Sequence, residues 1–220
     1  MGRDDTIMMV VAHSDDQILG PGGAMAKYAK EGKHIITVIC SYGEGSHPHF
    51  KKEIITKIRE QEAERADKII GGEKIIFFSA SDGKIKDEID SLGLKDSLSK
   101  LFIQYKPGKI FTHADDEALP DHIAVNKLVL EVYDTLHTSS KFTADIYSFG
   151  VWRFFKLKNR TNPRLVVDIS KTFKIKIKAL GAFKSQQLAM LSLKWSIYVK
   201  AFIHGFKNNV RFAEEFYKIR

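Results

Sequence analysis

The sequence lacks most of the features that would label it quickly. Its 220 residues hold one cysteine, Cys40, inside an apolar run. No disulfide framework exists, and a reducing compartment, the cytoplasm, is expected. No apolar run approaches the ~20 residues that cross a bilayer, and the polar start with its short Ile7–Ala12 run makes no secretory signal. Internal repeats, low-complexity tracts and linkers are also missing, so one domain spanning residues 1–220 is expected. A phosphate-cradling loop is absent too. Gly20-Pro21-Gly22-Gly23 lacks the Gly-x-Gly-x-x-Gly spacing and follows two carboxylates that repel phosphate. Acidic residues are outnumbered, giving a formal charge of +8 that is concentrated late in the chain. Solvated surface lysines explain that balance as well as anionic lipid or an anionic substrate does, and nucleic acid is not the expected partner.

What is present is alternation. Short apolar runs at Ile7–Ala12, Ile35–Tyr42, Lys74–Ser79, Lys109–His113, Ile146–Val151 and Leu165–Ile169 read as strands. Amphipathic stretches between them read as helices: from Ile18 or Gly22 to Lys30, then Lys51–Ile70, Lys95–Tyr105, Asp121–His137, Thr172–Met190 and Trp195–Phe206. Strands separated by long crossovers predict a Rossmann-like α/β fold, a mainly parallel sheet with helices on both faces. Ligands of such sheets bind beyond the carboxyl ends of the strands.

Two stretches lie at such ends. The first strand stops at His13-Ser14-Asp15-Asp16-Gln17, and Pro120-Asp121-His122 follows the fourth. Imidazole and carboxylate at the mouth of a buried strand suit a divalent metal with nitrogen and oxygen preferences. Ser14-x-x-Gln17 also fits a helix capping box, and Asp121 an N-cap. Arg59 and Glu62 share a helix face and also fit a surface ion pair, while Asp82-Gly83 also fits a simple turn.

Ala12-His13-Ser14-Asp15-Asp16-Gln17 resembles the Ala-His-Pro-Asp-Asp-Glu signature of the PIG-L/LmbE-like family of zinc-dependent N-acetylglucosamine-conjugate deacetylases. Pro120-Asp121-His122 is similar to the end of that family's His-Pro-Asp-His motif. Arg59-Glu60-Gln61-Glu62-Ala63, Asp82-Gly83, Thr112-His113, Val167-Asp168-Ile169-Ser170, Ser185-Gln186 and Ala213-Glu214-Glu215-Phe216 extend the resemblance along nearly the whole chain.

The resemblance implies Zn²⁺ held by His13, Asp16 and His122, with Asp15 as general base. Three protein ligands leave a position for water, whose pKa zinc lowers to about 7. It implies further that Arg59 and Asp82 contact substrate. The substrate is then a small-molecule or lipid-linked N-acetyl sugar conjugate, deacetylated to a free amino sugar. Leu119 stands where much of the family has a histidine, and Phe183 likewise. His113, or an ordered water, is therefore expected to supply part of the electrophilic role, with orientation of a metal ligand, or simple burial at the strand end, as its alternative. A catalytically weak, glycan-binding member is the alternative function. His47 and His49 are expected in a substrate-facing loop. The aromatic and lysine-rich tail, Lys194 to Lys207, reads as a helix packed on the sheet, with peripheral contact to an anionic membrane face as the other reading.

Overall fold

The computed structural model describes residues 5–46, 51–152 and 162–220. His47, His49 and the basic stretch at 153–160 lie outside them. The strands are β1 (Thr6–Val11), β2 (His34–Ser41), β3 (Lys74–Ala80), β4 (Lys109–His113), β5 (Asp145–Phe149), β6 (Arg164–Asp168) and β7 (Ala213–Lys218). The helices are α1 (Asp16–Leu19), α2 (Gly22–Lys30), α3 (Lys52–Ile70), α4 (Ile85–Glu88), α5 (Leu94–Tyr105), α6 (Pro120–Ser140), α7 (Phe173–Leu180) and α8 (Gln187–Lys207). One sheet runs in the order β3-β2-β1-β4-β5-β7-β6. β1 to β5 pair in parallel, and β7 lies antiparallel between β5 and β6. The expected Rossmann-like α/β architecture is the one the chain adopts.

β1 is central because both of its faces are apolar. No residue of it is more than 2% exposed. Successive side chains of a strand point to opposite faces, so Ile7, Met9 and Val11 join a core with residues of α2, α3, α7 and α8. Met8, Val10 and Ala12 join a second core with α5 and α6. β1 pairs with β2 on one side and β4 on the other. The crossover direction reverses there, which opens a crevice at the carboxyl ends of β1 and β4.

The structure corrects several expectations. The capping box does not form. Ser14 Oγ donates instead to Tyr42 O (2.9 Å), and the Gln17 amide donates to Ser14 O (3.0 Å). Asp121 does not cap α6, whose N-cap position is Leu119. The helix expected over Thr172–Met190 breaks after Leu180. Glu62, buried on α3, accepts from Ser185 N–H (2.8 Å) and Ser185 Oγ (2.7 Å), and Phe183 is drawn into the core. Glu62 is therefore no half of a surface ion pair. Strand β7 was not expected, because Ala213-Glu214-Glu215 has the composition of a helix.

β7 is stabilised by a buried charge pair. Lys176 Nζ of α7 lies 2.6 Å from Glu214 Oε1 and also donates to Leu19 O (2.9 Å) and Gly20 O (2.7 Å). Glu214 accepts from the N–H groups of Gly23 (3.0 Å) and Ala24 (2.7 Å) at the start of α2. Gly23 is required by this close approach, since a Cβ there would sit 2.8 Å from Glu214 Oε1. One carboxylate thus ties the last strand to the corner that follows the His-Ser-Asp-Asp turn. Glu214→Ala leaves Lys176 buried and unpaired, so it is expected to cost about 3–5 kcal/mol in chemical denaturation. A loss below about 1 kcal/mol would show that the pair is not a clamp.

Candidate metal centre

The end of β1 delivers His13 and Asp16, the end of β4 delivers His113, and the first turn of α6 delivers His122. All four meet in the crevice. Asp16 Oδ2 lies 3.4 Å from His13 Nδ1, 3.3 Å from His122 Nε2 and 3.4 Å from His113 Nε2. Ligand atoms of His13, Asp16 and His122 all lie within 4.8 Å of one another. A tetrahedral zinc with bonds of 2.0–2.1 Å has ligand-to-ligand edges of about 3.3–3.4 Å, the spacing seen on both sides of Asp16. Neither nitrogen of the buried His122 ring has a hydrogen-bond partner. Two imidazoles and a carboxylate with these spacings fit a divalent metal.

Carboxylates stand behind the imidazoles. His13 Nε2 lies 3.2 Å from Asp121 Oδ2 and 3.1 Å from Asp82 Oδ1. Asp121 also accepts from Gly83 N–H (2.8 Å) and Ile85 N–H (3.3 Å), which fixes the Asp-Gly loop against the centre. Glu117 Oε2 is 3.7 Å from His122 Nδ1, and the same carboxylate accepts from the backbone N–H groups of Val151 and Trp152. An imidazole that binds metal through one nitrogen is commonly oriented by a carboxylate at the other. Sequence reasoning missed Glu117 and the orienting role of Asp121. The acidic run Asp115-Asp116-Glu117 was the available signal, but nothing in it marks which of the three turns inward.

These contacts set the protonation states of the metal-free site. Burial pulls the His13 pKa down, but hydrogen bonds with Asp121, Asp16 and Asp82 outweigh it and hold it well above the ordinary value. Burial opposes the charged form of His122 as well, yet Asp16 and Glu117 raise its pKa to about 9. Asp16 is held well below the carboxylate range despite its burial, by His122 and His113. In chelator, the protein is therefore expected to lose thermal stability as pH rises. The His122 contribution is complete below its ordinary pKa of 6.5 and gone above about 9. Divalent-metal affinity rises over the same interval, because the ligands must be deprotonated. A melting temperature that stays flat or climbs between those values in chelator would contradict this assignment.

Asp15 lies beside the ligand cluster and outside it. Its carboxylate is partly open to solvent, and Arg59 Nη2 lies 3.4 Å away. Arg59 is buried and donates through Nε to Tyr42 O (3.0 Å), so its guanidinium faces Asp15 and the backbone. Asp82 retains a quarter of its side-chain surface while accepting from Gly45 N–H (3.0 Å). His113 lies at the end of β4, enclosed beside the ligand cluster. It has no exposed surface, its ring stacks on His122 at 3.8 Å, and Ala12 N–H donates to its Nε2 (3.0 Å). Burial, with His122 nearby, lowers its pKa to about 4, so the ring is neutral. Its other nitrogen, Nδ1, is buried and has no hydrogen-bond partner.

Both the sequence and the fold of the chain match known proteins. The chain is 24% identical over 196 residues to the probable N-acetyl-alpha-D-glucosaminyl L-malate deacetylase 2 of Bacillus cereus, covering 84% of this chain and 85% of that one. Its fold matches N,N'-diacetylchitobiose deacetylase from Pyrococcus horikoshii, with a TM-score of 0.81 at 19% identity over 98% of this chain and 84% of that one. It also matches a 4-carboxy-2-hydroxymuconate hydratase from Pseudomonas putida, with a TM-score of 0.83 at 19% identity over 98% and 96% of the two chains. The PIG-L family model, described as GlcNAc-PI de-N-acetylase, matches residues 8–133, which span β1 through most of α6 and hold His13, Asp16 and His122. The chain belongs to the PIG-L family.

Proposed function

We propose that this protein is a zinc-dependent N-deacetylase that hydrolyses the acetamide of an N-acetylglucosamine-type conjugate, giving acetate and a free amino sugar. The observation that carries the reading is the spacing of His13, Asp16 and His122, with Asp15 outside that set and paired with Arg59. Bound there, zinc would act as a Lewis acid toward water and the acetamide oxygen.

The chain's own residues supply the proton transfers. Asp15 accepts a proton from the attacking water and returns it to the sugar nitrogen as the C–N bond breaks. Water and amide thereby become acetic acid and amine, and transfer of the acid's proton to the amine leaves acetate and an ammonium group. Arg59 orients Asp15 from behind, and Asp82 presents its open edge to a sugar hydroxyl while holding His13. His113 acts as a positioning residue, packed beneath His122 and fixed by Ala12 N–H. His113→Ala is therefore expected to weaken zinc binding about 10–100-fold and to recover much of its turnover under excess zinc. Loss of turnover with zinc affinity unchanged would restore the electrophilic role.

The relatives' names couple the acetylated sugar to malate, to another sugar or to a phosphoinositide. The test is acetate release from a panel of such soluble and lipid-linked conjugates, with Asp15→Asn as the control. Release by the parent and not by the control supports the reading. Stoichiometric zinc without release from any conjugate favours glycan binding by a weak enzyme, with Leu119 in the place of a catalytic histidine as its cause.

A further inference from the structure

One apolar face of α8 stays exposed among the described residues. Leu193, Ile197 and Ala201 turn into the core, whereas Trp195, Tyr198, Val199, Phe202, Ile203 and Phe206 are between 37% and 75% exposed. They recur every three or four residues, so they form one stripe along the helix. The ring of Tyr198 packs edge-on against Phe173 of α7 at 4.7 Å, which joins the stripe to a second surface. There α7 exposes Lys174 and Lys178, with exposed Lys171 just before it.

The charge of the chain lies in the same region. From Ile169 to Ala213 there are nine lysines and arginines and no aspartate or glutamate. The remaining residues carry 26 basic and 27 acidic groups, a net of −1. The whole positive excess therefore belongs to the segment that forms α7 and α8. No described helix is long and apolar enough to cross a membrane.

We propose that α7 and α8 dock this protein on an anionic lipid surface. The aromatic stripe enters the interfacial layer, where Trp, Tyr and Phe rings are favoured, and the lysines meet acidic headgroups. A second copy of the chain fits less well. A two-fold interface sets the same patch against itself, and neither helix has an acidic side chain to meet the opposing lysines. Two hydrogen bonds also connect α8 to the wall of the crevice. Lys200 Nζ donates to Val151 O (3.0 Å), and Val151 N–H bonds Glu117, the carboxylate behind His122.

The experiment is co-sedimentation of the full chain with phosphatidylcholine vesicles, with and without phosphatidylglycerol, at low and high salt. Binding is expected only to the anionic vesicles, with release by salt and a blue shift of tryptophan emission. Phe202→Ser/Phe206→Ser and Lys174→Glu/Lys178→Glu are each expected to reduce partitioning about tenfold or more. Acetate release from a water-soluble conjugate should stay unchanged in both, so the docking and the deacetylase reading fail separately. No sedimentation with anionic vesicles at low salt, or equal binding by parent and variants, overturns the proposal. A dimer in sedimentation velocity that Phe202→Ser/Phe206→Ser dissolves, without vesicle binding, assigns the stripe to a second copy and overturns it too.

Discussion

Asp16→Ala is expected to yield a folded protein that retains no zinc after dialysis and releases no acetate. The magnitude follows from how many groups rely on one oxygen. Asp16 Oδ2 stands within 3.4 Å of three imidazoles and accepts the His13 N–H at 2.8 Å. It is the only anionic member of the proposed ligand set, and it is almost fully buried. Losing a residue that merely orients a metal ligand costs 10–100-fold in affinity, and losing the anionic ligand itself should exceed that. Elemental analysis of parent and variant, beside circular dichroism to show that the fold survives, gives the result directly. Near-stoichiometric zinc in Asp16→Ala would remove this centre from the mechanism. His122→Ala should behave alike, since its two buried nitrogens have no hydrogen-bond partner.

Asp15→Asn is expected to do the opposite with the metal and nearly the same with turnover. Its carboxylate is outside the ligand set and touches Arg59 alone among the site's side chains described above. Zinc content should therefore match the parent, while the melting temperature falls because the buried Arg59 loses its charged partner. An amide cannot take a proton from water, and removing a general base costs about 10²–10⁴ in kcat. The sign of the difference separates the two neighbours: one variant loses metal and rate, the other rate alone. A parent-like kcat in Asp15→Asn would assign the base elsewhere, with Asp82 as the next carboxylate open to solvent.

The proposed ligands were legible in the sequence because they come in short contiguous runs at strand and helix ends. A buried strand that stops at His-x-x-Asp needs no tertiary knowledge to attract notice. The sheet was legible for the same reason, since alternating apolar runs and amphipathic stretches are local signals. What sequence reasoning lost depends on partners far along the chain. Glu117 turns inward because Val151 and Trp152 offer backbone N–H groups from another loop. The break after Leu180 depends on Glu62, more than a hundred residues earlier in the chain. Arg59 and Glu62 fit a surface ion pair on their helix face, yet both are buried with other partners, as are Lys176 and Glu214. The strand β7 was hidden by the same cause, because Glu214 in a sheet interior makes sense only once Lys176 is known to meet it.

The position of β7 also imposes an order in time. Among the described residues β6 pairs with β7 alone, and β7 closes the open side of β5, yet β7 follows both in the chain. On the ribosome, β5 emerges with a raw edge and β6 with none of its ladder bonds. At 5–20 residues per second, the stretch from Phe149 to Lys218 takes roughly 3–14 s to appear. Through that interval the nascent sheet has an unfilled slot, and unpaired strand edges invite pairing with other chains. The carboxylate that fixes the corner beside the metal turn arrives in the same late piece, so the centre cannot become rigid before synthesis has nearly passed the last strand.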